Sequence, residues 1–458
     1  MQAHFDNGSF WFDSLQASLL PAPVETLPAQ VDIAIVGAGY TGLWTAYYLN
    51  QLAPALSIAI FEANTIGFGA SGRNGGWCMG TAMGVDQLLA QPARAAQGLA
   101  IARAMQQTVD EIGEVCDKEG IDCHFKKGGT LTVATRHFDV PLMQQSIKAH
   151  QSLGFDAEDF IWLDADESKR RVNMQPNHGA LYTPHCASIH PAHLVKGLGR
   201  VLRERGVKIY EQTAVSRINP AELVTSRGVV KAAKILRATE GYTDSIEGHK
   251  RQLLPLYSMM VATEPLSKSV WDDIGLRQRE TFGDARRVTI YGQRTQDDRL
   301  AFGGRAGYYY GSKRKAVIDP QDPMLDHVAR TLKELFPVLQ GTAITHRWGG
   351  LMGVPRHWRP FVTFDSAIGI GSAGGYVGEG VGASNLAARV LADLALGRDT
   401  ALTKLAWVDD VARRWEPEPF RWLGAGAIQW FGDRADRQEF QTGKRSRFWG
   451  GLFDQFVG

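Results

Sequence analysis

Residues 31–62 read VDIAIVGAGYTGLWTAYYLNQLAPALSIAIFE. In order they give an apolar strand, a glycine turn, a helix over 43–51, a second apolar strand and an acid. The turn Gly37-Ala38-Gly39-Tyr40-Thr41-Gly42 is G-x-G-x-x-G in its strand-to-helix context. Each glycine answers a steric demand. Gly37 permits a tight reversal, Gly39 carries no Cβ to obstruct a pyrophosphate, and Gly42 lets the helix close on the strand. Phosphates then meet the unpaired amides and positive dipole of a helix start. Glu62 stands twenty residues after Gly42, at the tip of the second strand. There its carboxylate accepts hydrogen bonds from both hydroxyls of an unphosphorylated ribose, which points to NAD or FAD rather than NADP.

Gly67-Phe68-Gly69-Ala70-Ser71-Gly72 fits the same expression, yet no apolar helix follows, so it fails the context of a second nucleotide turn. Arg73-Asn74-Gly75-Gly76 continues it as a flexible polar loop. Coming directly after the ribose acid, that loop lies where the middle and reactive ring of a cofactor extend.

The 458 residues exceed one ordinary core, so two intertwined domains are expected. A net charge of +2 offers no clustered basic surface for nucleic acid. The four cysteines, Cys78, Cys116, Cys123 and Cys186, form no C-x-x-C pair and no zinc spacing. Buried, reduced thiols of a cytoplasmic enzyme are the expectation. The first thirty residues lack the basic start and apolar segment of a secretory leader, and no apolar window is long enough to span a bilayer.

Along the chain, 87–116 reads as helical, 124–126 and 129–134 as strands, and 140–153 and 165–172 as short helices. Helix 191–205 opens at Pro191 and carries Leu194, Leu198, Val201 and Leu202 on one face. His185, His190 and His193 lack a fourth ligand of matching spacing, so no metal is expected. The strand ending in Thr239-Glu240-Gly241-Tyr242 follows, then LYSMMVATEPL, TIYGQ and RLAFGG, the last leading into Arg305 and Tyr308-Tyr309-Tyr310. Strand 368–373 runs into Gly374-Gly375-Tyr376-Val377-Gly378-Glu379-Gly380-Val381-Gly382, which opens helix 383–396. With no phosphate left to bind, this second helix start can face another developing negative charge, such as the pyrimidine edge of a reduced flavin.

These residues resemble the glycine and D-amino acid oxidase (DAO) family of FAD-dependent oxidoreductases over about 31–398. GFGASGRNGG, HPAHLVKGLGRVLRERG, FGGR, WGG and GGYVGEGVG resemble its gamma-glutamylputrescine oxidase branch. The resemblance implies an α/β fold, with a Rossmann-like FAD-binding domain from 30–123, 185–255 and 345–400. A substrate domain on a mixed antiparallel sheet would take 124–184 and 256–344, and 401–458 would form a tail. Gly37, Gly39 and Gly42, with Ala38, Tyr40 and Thr41 between them, would hold the pyrophosphate. Glu62 and Ala63 would hold the ribose, and Val215 would bracket the adenine. Gly69, Ser71, Gly72, Arg73, Asn74, Gly75 and Gly76 would line pyrophosphate and flavin, with Thr239 and Gly241 beside them. Gly375, Tyr376, Gly378, Glu379, Gly380 and Val381 would face the pyrimidine edge.

One departure bears on substrate. Amino acid oxidases of this family show W-x-G-L-R, whose arginine forks onto the substrate carboxylate, whereas Trp348-Gly349-Gly350-Leu351 is followed here by Met352. The expected substrate is therefore a small primary or N-methylated amine without an adjacent carboxylate. An anion farther off, carboxylate or phosphonate, would fall to another cation such as Arg305. Tyr257, Tyr308, Tyr309, Tyr310 and Trp348 are candidate pocket walls for such an amine. It reacts as the free base, which a dry pocket favours, and its electrons pass on to oxygen, giving hydrogen peroxide, or to another acceptor. The competing reading is a membrane-associated dehydrogenase of D-amino acids or of glycine and sarcosine. In the tail from residue 417, basic and aromatic residues interleave; it can lie on a membrane surface, seal a homodimer or pack on a monomer's own domain.

Overall fold

A computed structural model describes residues 8–15, 25–305 and 307–457, with the side chains of Arg305 and Val457 outside the description. The chain is α/β, built on two large sheets. In the first, parallel strands run in the order Ile370–Gly374, Gly228–Arg237, Gln30–Val36, Ile58–Phe61, Lys208–Tyr210. Strand Phe361–Asp365 adds an antiparallel edge. The central strands are covered on both faces, which is why they read as unbroken apolar runs. Register pairs Val36 with Phe61, so Gly37 and Glu62 emerge side by side at the carboxyl edge. Helices Tyr40–Leu52 and Gly380–Ala395 pack together in the core over this sheet.

The second sheet runs Ile344–Val354, Leu254–Thr263, Leu300–Arg305, Ile290–Arg294, Thr281–Asp284, Thr130–Val133, Ala180–Thr183, Ile161–Leu163. Its pairings are antiparallel except for Thr281–Asp284 beside Thr130–Val133. Strand Ile344–Val354 departs from the expected division, which placed 345 onward in the nucleotide-binding part. It pairs with Leu254–Thr263 along nearly its whole length, and that long-range ladder outweighs proximity in sequence to the 370–382 turn.

Two local expectations also change. The helix expected over 87–116 is broken into Val85–Leu89 and Ala95–Lys118, with Pro92 in the gap, where its ring and missing N–H oppose a continuous helix. The expected strand 124–126 is reduced to a single bridge from Lys126 to Ser188. All four cysteines are buried and free.

The tail forms helices Phe420–Thr442 and Arg447–Val457, which pack on each other and on the chain's own second sheet. Asp436 accepts the Arg287 and Val288 N–H groups at 3.0 and 2.9 Å, while Glu439 sits 2.6 Å from Arg136 and 2.7 Å from Arg287. Among the described residues no helix is long and apolar enough to cross a membrane.

Candidate active site

The carboxyl edge of the first sheet opens into an elongated cavity of about 1860 Å³, open mouth included, roofed by the second sheet.

At one end Gly37 takes φ +105°, a conformation open to glycine and costly for other residues. The Tyr40 N–H donates to Ser71 Oγ at 2.9 Å. A Cβ on Gly39 would come within 2.9 Å of that same oxygen, so the strip between helix start and Ser71 loop stays open because position 39 is bare. Glu62 accepts the N–H groups of Ala38 and Asn64, both at 2.8 Å. Burial pushes its carboxyl above the usual range, against the pull of those two donors. Gly37, Gly39, Tyr40, Thr41, Glu62 and Ala63 line this end, with Val215 from a neighbouring strand.

The second glycine turn delivers Tyr376, Gly378, Glu379, Gly380 and Val381 to the same cavity. The two helix starts meet: Thr41 Oγ1 and the Tyr376 hydroxyl are 2.9 Å apart. Between them Gly69, Ser71, Arg73, Asn74 and Gly75 form one wall and Thr239 another. Arg73 is buried, donates to the Ala316 carbonyl at 2.7 Å and lies over Phe68.

Six nominated glycine-turn and loop residues support the cavity from behind. Ala38 holds Glu62; Gly42 packs helix on strand, and a Cβ there would meet the Gly37 carbonyl at 1.9 Å. Gly72 accepts Ser9 Oγ at 2.8 Å, Gly76 receives Gln293 and Ile189 where a Cβ would stand, and Gly241 receives Leu351. The Gly375 N–H donates to Glu240.

The substrate-side residues divide differently. Met352 lines the cavity, with Gly350 and Leu351. Trp348, Tyr257, Tyr308 and Tyr309 lie off it, a correction to their nomination as walls. Trp348 is buried beside Trp11 and donates Nε1–H to the Arg73 carbonyl at 2.9 Å, so it braces the loop from outside. Tyr257 belongs to the core behind the sheet and its hydroxyl accepts the Lys315 N–H at 2.7 Å. Tyr308 donates to Glu418 of the tail at 2.5 Å and Tyr309 to Asp322 at 3.0 Å. Strand alternation explains the error: Tyr257 and Met259 point into the rear core, while Ser258, between them, faces the cavity. Position 305 pairs in register with Ser258.

Glu240, Tyr242, Ser258 and Tyr291 are among the cavity residues that were not nominated from the sequence. Tyr291 lies across the sheet where Gly303 has no side chain, and against Gly75; a Cβ on either would come within 2.5 Å of its ring. Its hydroxyl thus reaches Ser258 Oγ at 2.6 Å. The alternating pattern of LYSMMVATEPL carried a signal for Ser258, but Tyr291 depended on two glycines remote in sequence. The histidines have local work: His185 Nε2 pairs with Asp159 at 2.6 Å, and His190 Nδ1 accepts the His193 N–H at 3.1 Å to cap its helix.

Residues 32–394 match the model of the DAO family, described as FAD dependent oxidoreductase. The chain belongs to that family. Gamma-glutamylputrescine oxidoreductase of Escherichia coli is 30% identical over 389 residues, 82% of this chain and 86% of that protein. The probable oxidoreductase OrdL of Haemophilus influenzae is 27% identical over 413 residues, 86% of this chain and 89% of that one. Among solved structures, glycine oxidase from Geobacillus kaustophilus superposes with a TM-score of 0.71 at 18% identity, covering 85% of this chain and all of that one. As a DAO-family member this chain is an FAD-dependent oxidoreductase, and the tail beyond residue 394 lies outside the family match.

Proposed function

We propose that this DAO-family chain oxidises a small primary or N-methylated amine lacking an α-carboxylate. FAD, when bound, supplies the two-electron acceptor. The amine loses two electrons and two protons to become an imine; water then releases an aldehyde and ammonia or a smaller amine. The electrons leave to oxygen, as hydrogen peroxide, or to another acceptor. In this reading Gly37 to Thr41 and Ser71 cradle the pyrophosphate, Glu62 takes the ribose, and the start of helix Gly380–Ala395 stabilises charge at the pyrimidine edge. The cavity walls exclude water and so hold the amine as its free base.

The observation that carries the substrate reading is Met352. It stands on the cavity wall at the position where the family's amino acid oxidases place a carboxylate-binding arginine, and a thioether offers an anion nothing. The name of the Escherichia coli relative, a gamma-glutamylated diamine oxidoreductase, agrees with an amine whose carboxylate is distant from the reacting nitrogen. Polyamines, N-methylamines and aminophosphonates tested beside glycine and D-alanine, with anaerobic flavin bleaching as readout, decide the matter. Faster bleaching by the two amino acids would reject the proposal.

Two substitutions sharpen the test. Met352→Arg is expected to raise kcat/KM for D-alanine about tenfold or more relative to the amine, the worth of one charge-assisted fork; an unchanged ratio would place the substrate elsewhere. Tyr291→Phe removes the hydroxyl 2.6 Å from Ser258 and is expected to raise KM for the amine about tenfold with FAD content unchanged. Loss of flavin instead would assign Tyr291 to the cofactor.

A further inference from the structure

The tail has two unlike faces. Inward, Asp436 and Glu439 are buried against Arg136 and Arg287, so these acids are spent on holding the helices to the domain. Outward, the rings form one continuous patch. Trp449 lies 5.0 Å from Trp430, 4.6 Å from Phe448 and 6.1 Å from Phe431, which in turn lies 6.3 Å from Phe456. Phe448 is 66% exposed, Trp430 46% and Phe456 44%, and contiguous exposed apolar patches of this kind mark interaction surfaces.

Cations share the same two helices and their turn. Arg434 lies over Trp430 at 5.2 Å, and Arg437, Lys444, Arg445 and Arg447 are all exposed. Among the described side chains of the two helices and their turn, Asp454 is the exposed acid, and it is occupied by Arg287 and Arg445. Asp433, half-buried, faces Arg437, and the exposed side of the two helices carries aromatic rings with a surplus of cations.

We propose that this face docks on an anionic lipid surface, with the rings at headgroup depth and the cations on lipid phosphates. Charge selects the occupant. A second copy of the chain would bring the same surplus of cations into one interface, where they repel; anionic headgroups neutralise them. The contact is in the surface plane, since among the described residues no helix is long and apolar enough to cross.

The test uses the full-length, FAD-loaded chain and co-sedimentation with vesicles of phosphatidylcholine, with and without phosphatidylglycerol. Binding is expected to vesicles containing phosphatidylglycerol, to weaken with added salt and to be slight on phosphatidylcholine alone. Phe448→Ser with Phe456→Ser, and separately Lys444→Gln with Arg447→Gln, are each expected to lower partitioning about tenfold. Flavin absorbance should stay intact in both variants, which separates lost docking from lost folding and leaves the amine proposal untouched. Equal sedimentation with and without anionic vesicles would overturn the inference. So would a concentration-dependent dimer that the Phe448/Phe456 variant abolishes.

Discussion

Gly42→Ala is expected to yield protein that retains little FAD and is less stable by about 1–3 kcal/mol, the usual cost of forcing volume into a closed contact. The added Cβ would stand 1.9 Å from the Gly37 carbonyl oxygen and 3.3 Å from the Ile35 side chain. Neither the carbonyl nor the buried strand behind it has room to yield, so the helix start must retreat. That retreat displaces the amides of 39–41 from the cavity and separates Thr41 from Tyr376, whose hydroxyls are 2.9 Å apart. Gly424→Ala is the matched control. It lies in helix Phe420–Thr442 with nothing within 4 Å of its Cβ position, and there alanine is expected to be neutral or stabilising by about 0.4–1 kcal/mol. Flavin absorbance per protein and the thermal midpoint of each variant give the answer. A Gly42→Ala protein carrying its full complement of FAD would remove the close packing of this turn from the account of cofactor binding.

Glu240 carries the second large effect. It adopts φ +41°, an uncommon backbone for a residue with a side chain. From there one carboxylate oxygen accepts the N–H groups of Gly375 and Tyr376 at 3.0 and 3.1 Å. It is the strut under the second glycine turn. Glu240→Ala leaves both donors without that acceptor, at about 1–3 kcal/mol each, and is expected to loosen the turn and release FAD.

Burial pushes the Glu240 carboxyl up to about 7, against the pull of its backbone donors and of Arg237. The folded chain therefore holds this proton more tightly than the unfolded chain, whose value is near 4.5. The contribution is complete below about pH 4.5 and is lost as pH rises to about 7. Thermal unfolding of the flavin-free protein over this range should show that decline, and Glu240→Gln should flatten it. An equal slope in the Gln variant would assign the titration to another group.

The turn at 37–42 was legible because its demands are local: a tight reversal, a bare approach and a close helix crossing each depend on residues a few positions apart. The second turn, at 375–381, was legible for the same reason, as was the break in the strand-helix pattern after Gly72. The aromatic walls were not. Tyr257 carries the chemistry expected of a pocket, but a strand sends neighbours to opposite faces, and pairing with Leu300–Arg305 and Ile344–Val354 turns Ser258, not Tyr257, to the cavity. Tyr308 likewise spends its hydroxyl on Glu418, 110 positions away.

By itself the sequence determined the dinucleotide-binding unit, because backbone sterics and strand and helix periods act over neighbouring residues. It also determined the family, through motifs that are separately weak and jointly specific. Tertiary structure decided which side chains share the cavity with that unit. Sheet register, glycine gaps that let Tyr291 lie across its neighbours, and the burial of the tail's acids are all properties of segments that meet only after folding.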